Sequence, residues 1–276
     1  RMQIAILGRQ PKISLAELEV LFGAEKISPI NEYAASVDTS NPLPQSRLGG
    51  TMKSAKLLTR LENTALTDAF KYLQSSIPEH LQYLPSGKLQ LGVSVYGEKA
   101  QRDWLLKQML TLKKLIKKSG RSVRIIENKS EALESAQVLY NKLTGPLGWE
   151  LLLIKDGPDI IVAQTTAVQN IDDYSKRDFD RPMRDAFVGM LPPKLAQIMI
   201  NLTSPEDGTT ILDPFCGTGV VLQEAILMGY NTYGTDLADK MIDYSIGNLN
   251  WLQEELPNSF ENLKWNVEQA DATNHN

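Results

Sequence analysis

In LQLGVSVYG, apolar side chains fall on alternate positions, Leu89, Leu91, Val93 and Val95. A period of two predicts a strand with one buried face. Past Ala100 the period lengthens: Leu105, Met109, Leu112 and Ile116 share one helical stripe, which Gly120 ends. SVRIIEN returns to strand, a further helix carries Ala132, Ala136, Leu139 and Leu143 on one side, and WELLLI and IIVAQTTAV flank KDGPD as a hairpin. Ahead of these lie a strand at MQIAILG and a helix at ISLAELEVLFG, with Ser14 expected as N-cap, Glu17 completing a capping box and Gly23 closing it. Strands at EYAASVDT and GTMKSAKLLTRL, with NPLPQS as a loop between them, make this a small α+β unit. After a polar connector, QNIDDYSKRDFDRPMRD, the order becomes regular. A helix opened by proline, with Leu195, Met199 and Leu202 in line, precedes strand TILD, helix GVVLQEAILMG, strand NTYGTD, helix DKMIDYSIGNLNWL and a strand near LKWNVEQAD. Strands alternating with helices predict parallel βαβ units.

At 276 residues the chain has room for two or three domains. No apolar run approaches the ~18 residues of a membrane helix, and the composition suits a cytoplasmic protein. One cysteine, Cys216, excludes an internal disulfide. With only His80 and His275 beside it, a metal site is not expected. The net charge of −4 is unevenly spread. From residue 205 onward there are twelve acidic and two basic side chains, whereas the preceding 204 residues carry 27 basic against 21 acidic. Such asymmetry suggests that the earlier part meets a polyanion.

The chemistry concentrates in TILDPFCGTGVV. In an open parallel sheet, ligands bind beyond the carboxyl ends of the strands, and DPFCGTG stands at such an end. Gly217 and Gly219 remove side chains where a ligand must approach the backbone. Asp236 ends the next strand, 23 residues after Asp213, where an acid accepts from ribose hydroxyls. A dinucleotide turn would carry a third glycine, but Leu222 stands there, and Asp213 would repel a pyrophosphate. A nucleoside with a cationic amino-acid end, S-adenosylmethionine, fits better. Asp213 as a simple helix cap is the plainer alternative. Cys216 lacks a histidine partner and reads as a small packed residue, not a nucleophile.

DPFCGTG resembles motif I of class I S-adenosylmethionine-dependent methyltransferases that act on amino groups of nucleic-acid bases. YSKRDFDRPMRDAFVGMLPPKLAQIMINL is similar to the segment entering the catalytic domain of THUMP-containing tRNA guanine-N2 methyltransferases, the family acting at position ten. LGGTMK, LGVSVYG and NKLTGPLGWELLLI resemble its N-terminal regions. The resemblance implies a ferredoxin-like domain at 1–85, a THUMP domain at 86–168, a linker at 169–185, and part of a Rossmann-like methyltransferase domain at 186–276. It implies that Asp213, Pro214, Cys216, Gly217, Thr218 and Gly219 bind the cofactor, with Gly217 and Gly219 flanking the methionine moiety and Asp213 in reach of its ammonium. Asp236 would take the ribose, Asp271 the adenine amine, and Met190 to Pro193 the pocket rim. The family's Asn/Asp-Pro-Pro-aromatic motif, which holds the target base, does not occur in the sequence. The expectations are therefore that the chain is truncated, that its catalytic residues lie beyond residue 276, that it does not turn over alone, and that TILD is an open sheet edge. A DNA or rRNA amino-methyltransferase and a non-catalytic RNA-binding module are the alternatives.

Lys107 to Arg124 holds seven basic residues and no acid. Lys107, Lys114, Lys117, Lys118, Arg121 and Arg124 are the expected RNA-binding residues, rewarded by counterion release. The plainer reading is a solvated helix face. The THUMP resemblance implies that tRNA is the partner. Arg177, Arg181 and Arg184 are either further phosphate ligands or partners of Asp178, Asp180 and Asp185.

Overall fold

The computed structural model describes residues 2–187 and 189–274; His275 lies outside them. The chain divides into two compact units, Arg1–Gln45 with Thr51–Asn170, and Ser46–Gly50 with Ile171–Asn276.

The first unit is built on one eight-stranded sheet formed by β1 (Gln3–Leu7), β2 (Ile27–Asn31), β3 (Ala34–Val37), β4 (Thr51–Leu61), β5 (Leu89–Tyr96), β6 (Val123–Ile125), β7 (Gly148–Asp156) and β8 (Asp159–Val168). Its order is β2-β3-β1-β4-β8-β7-β5-β6, so a single sheet runs through both segments 1–85 and 86–168. β5 pairs in parallel with β6 and β7, and the β7/β8 hairpin closes with Asp156 opposite Asp159. Helices α1 (Pro11–Phe22), α2 (Leu66–His80), α3 (Arg102–Lys118) and α4 (Ser135–Tyr140) accompany the sheet. Leu89, Leu91, Val93 and Val95 share a core with Phe70 and Leu73 of α2 and with Leu105, Met109, Leu112 and Ile116 of α3. The stripe expected on α3 is the buried one.

Several local expectations change. β5 is buried along nearly its whole length, Ser94 included, because Leu133, Val138 and Leu143 form a second apolar cluster with Ile126. The helix expected from Ala132 to Leu143 is only the six residues of α4. Ser14 is not an N-cap. α1 begins at Pro11, where proline suits the first helical position, and the Ser14 hydroxyl donates back to Gln10 O at 3.1 Å. α2 and β2 are additional to the expected elements.

The second unit contains α5 (Ile171–Phe179), α6 (Pro193–Leu202), β9 (Thr210–Asp213), α7 (Val220–Leu227), β10 (Asn231–Asp236), α8 (Asp239–Glu255) and β11 (Trp265–Gln269). Its strands are parallel in the order β11-β10-β9. β9 is an edge, as expected, and Leu212 on it is 54% exposed. α5 fills much of the segment expected as a linker. On α6 the buried residues are Pro193, Ala196, Gln197, Ile198, Ile200 and Asn201. The expected stripe is displaced: Met199 and Leu202 are exposed.

Candidate functional site

The parallel pairing brings the carboxyl ends of all three strands to one side. Asp213 ends β9, Asp236 ends β10, and Ala270 N donates to Asp236 O at 3.1 Å, which sets Asp271 beside them. Between β9 and α7 runs the turn Pro214–Gly219. Cys216 N donates to Thr235 O at 2.9 Å, and Gly217 N donates to Asp236 Oδ2 at 3.0 Å. Thus the acid ending one strand shapes the turn that follows the other. Its second oxygen, Oδ1, accepts from Ala238 N at 3.0 Å. Asp213 Oδ1 accepts from Phe215 N at 3.1 Å. Burial pushes the Asp213 carboxyl above its ordinary value, the Phe215 hydrogen bond opposes this, and nearby Asp236 adds to it. Asp271 is exposed and held below the ordinary range by the Thr273 hydroxyl and N–H, at 2.7 and 2.9 Å.

The two glycines of the turn have different reasons. Gly217 has φ +53°, and a side chain there would meet nothing within 4 Å. It borders open space that a ligand can fill. Gly219 has φ +83° as it starts α7, and a Cβ would lie 3.0 Å from Ser245 Oγ. Its close neighbour is therefore α8, so of the two glycines only Gly217 borders open space. Leu222, in turn, does not crowd the helix away from the sheet. It is fully buried, and its Cδ1 would lie 2.5 Å from a Cβ on Gly234. Room for the helix's Leu222 side chain is made by a glycine on β10, where a dinucleotide turn would carry its third glycine on α7.

Cys216 is buried and its thiol is pushed up to about 11 by that burial, so it is an inert packed residue. Ser245 Oγ donates to Gly217 O at 2.8 Å, and Asn248 Nδ2 donates to Thr218 O at 2.8 Å and to Met183 O at 3.0 Å. Asn248 Oδ1 accepts from Met183 N at 3.0 Å. These two fully buried residues of α8 fix the turn and tie Met183 to it. The available signal was polar residues on the buried stripe of α8, alongside Met241, Leu249 and Leu252.

Of the three arginines of the connector, Arg177 is committed to buried Glu224, with Nε–Oε1 at 2.6 Å. Arg181 is buried near Asp178. Arg184 is exposed and donates to Phe179 O at 3.3 Å. In the first unit, Lys107, Lys114, Lys117 and Lys118 are exposed on α3, and Arg124 is exposed on edge strand β6. Arg121 does not join them. Its Nη1 donates to Pro85 O and Gly87 O, and its Nη2 to Leu81 O and Leu84 O, at 2.8 to 3.4 Å. That guanidinium holds the loop before β5 and has few donors left for a phosphate. Among the described residues no cluster of metal-ligating side chains occurs, and no helix is long and apolar enough to cross a membrane.

Residues 181–272 match the family model described as "UPF0020: RMKL-like, methyltransferase domain". The tRNA (guanine(10)-N2)-dimethyltransferase of Methanothermobacter thermautotrophicus is 44% identical over 79 residues, 27% of this chain and 24% of the relative. The enzyme of the same name from Methanocaldococcus jannaschii is 37% identical over 95 residues, 33% of this chain and 27% of the relative. These matches span about a quarter of those relatives' length. The crystal structure of TrmN from Thermus thermophilus aligns with 99% of this chain and 74% of its own, at 16% identity and a TM-score of 0.55. Residues 181–272 are therefore similar to a methyltransferase domain, and the chain shares the mixed α/β fold of its Rossmann-like neighbours.

Proposed function

We propose that the crevice at Gly217 binds S-adenosylmethionine, and that the chain serves methylation of the exocyclic N2 of a guanosine in tRNA. The single observation that carries this reading is the open turn at Gly217, set between two strand-ending carboxylates that would repel a pyrophosphate. Asp213 would accept from the ligand's ammonium. Asp236 would turn an oxygen to the ribose hydroxyls, and Asp271 would accept from the adenine amine. Pro214, Cys216, Thr218 and Gly219 shape the turn. When bound, S-adenosylmethionine supplies a methyl group activated by its sulfonium. The chain's own contribution is position and exclusion of water, with effective concentration as the main source of rate.

Residues 86–168 act in this reading as a THUMP-type region. Lys107, Lys114, Lys117, Lys118 and Arg124 meet tRNA phosphates, reading shape more than sequence. The domain match and the names of the partial relatives support the substrate class.

Calorimetry with S-adenosylmethionine, followed by tRNA titration at several salt concentrations, tests both halves. Expected are saturable cofactor heat and a tRNA affinity that falls with salt. The salt slope should shrink by about one unit for each lysine–phosphate pairing abolished, as in Lys114→Glu or Lys117→Glu. No cofactor heat with intact tRNA binding would leave only an RNA-binding module. Equal preference for duplex DNA would replace tRNA as the substrate.

A further inference from the structure

We propose that Arg181 anchors the carboxylate of the cofactor's amino-acid end. This rests on the S-adenosylmethionine reading and deepens it.

That ligand's amino-acid end carries a cation and an anion together. The acids of the crevice serve the ammonium and the ribose, but they repel the carboxylate, which needs N–H donors. Arg181 has them to spare. Its side chain is wholly buried, yet Nε and Nη1 find no acceptor among the described residues. Asp178 Oδ1 stands 3.6 Å from Nη2, and Nη2 also meets the Met190 thioether at 3.3 Å. A thioether is a weak acceptor, and buried donors without partners are costly. Burial, and to a lesser degree nearby Arg184, also lowers the guanidinium's pKa from its ordinary value, which Asp178 and Glu224 do not fully offset.

The place is suitable as well. Two residues on, Met183 is bound at both main-chain groups by Asn248, whose amide also holds Thr218 O in the glycine turn. Four residues on, Asp185 pairs with Lys240 in the first turn of α8 at 2.7 Å. The segment carrying Arg181 is thus fastened to the rim of the crevice at two points. Arg177 cannot substitute, because Glu224 occupies it. A carboxylate displacing the flexible Met190 side chain would accept from two guanidinium nitrogens at once, the strongest geometry for such a pair.

S-adenosylhomocysteine and S-adenosyl-3-thiopropylamine separate the cases, since the second keeps nucleoside, thioether and ammonium and lacks only the carboxylate. Calorimetry on the whole chain should show Arg181→Met losing about 10- to 100-fold in affinity for the first ligand and less than about twofold for the second. Arg181→Lys, which keeps the charge but not the fork, should fall between. Equal losses for both ligands, or no loss for the first, would overturn the proposal by showing a structural role. If Arg181→Met does not fold by its thermal melt, the same comparison with Arg181→Lys decides. Failure of the unchanged chain to bind either ligand would sink the cofactor reading itself, and this proposal with it.

Discussion

Lys53 and Glu150 in the first unit, and Arg181 and Asp213 in the second, are all withdrawn from solvent to differing degrees, but only the first pair is chemically complete. Lys53 donates to Glu150 Oε1 at 2.5 Å and to Leu133 O at 2.7 Å. Glu150 accepts in addition from the Ser94 and Thr165 hydroxyls, at 2.6 and 2.5 Å, and Ser94 Oγ accepts from Leu133 N at 2.9 Å. Burial alone would lower the Lys53 pKa, but Tyr96 and Glu150 together outweigh it and raise it. This closed set joins β4, β5, β7 and β8, and leaves no donor for a visitor. In the second unit Arg181 keeps two donors unmatched among the described residues. Asp213 Oδ1 accepts from Phe215 N, and burial holds its carboxyl above its ordinary value. Saturated buried charge fixes a fold; unsaturated buried charge calls for a partner, which in the proposed reading is the ligand.

The largest expected effect breaks the complete side of that contrast. Lys53→Met leaves Glu150 charged and buried, and should cost about 3–5 kcal/mol in denaturant unfolding of the first unit; a loss within error of zero would show the set is not closed as described. A smaller effect asks whether the openness of the crevice stops at its wall. Gly234→Ala places a methyl 2.5 Å from Leu222 Cδ1 and 3.1 Å from Cys216 Cβ. It should destabilise by about 1–3 kcal/mol, and adding Leu222→Ala should cost less than the sum of the two changes. Full additivity in the unfolding curves would contradict the close crossing.

The smallest effect sharpens the incomplete side. An ammonium needs Asp213 ionised, so affinity for S-adenosylhomocysteine should fall as pH drops through a value raised from that of an ordinary aspartate. Asp213→Asn should flatten that dependence in calorimetry. The sign for the unliganded fold is opposite. A carboxyl whose folded pKa is raised binds protons more tightly folded than unfolded, so its contribution to stability grows as pH falls through that window. Affinity and stability moving together would argue against Asp213 as the group responsible.

Much of the second unit was legible because its determinants are local. β9, the turn and α7 lie within 18 consecutive residues, and alternating strand and helix patterns fix parallel pairing. The supports of the site were not legible, because their partners are distant: Ser245 meets Gly217 across 28 residues, Met183 meets Asn248 across 65, and Lys53 meets Glu150 across 97. Ser14 misled for a different reason. Serine with an acid three residues on suits a cap, but Pro11 already opened the helix a turn earlier, and the hydroxyl turned back to Gln10 O. α2 did carry a usable stripe, Leu66, Ala69, Phe70, Leu73 and Ile77. Arg121 shows the limit of charge counting, since composition cannot tell a side chain facing solvent from one spent on carbonyls.

The glycine on β10 has an implication for how such turns are recognised. The nearest atoms to Gly234 are side-chain atoms of Leu222 and Cys216, so the crossing demands room for a helix side chain over the strand, and that demand belongs to the crossing rather than to either chain segment. Proteins can satisfy it from the sheet as readily as from the helix. A fingerprint written as fixed spacing along one segment will therefore overlook members that moved the small residue to the other.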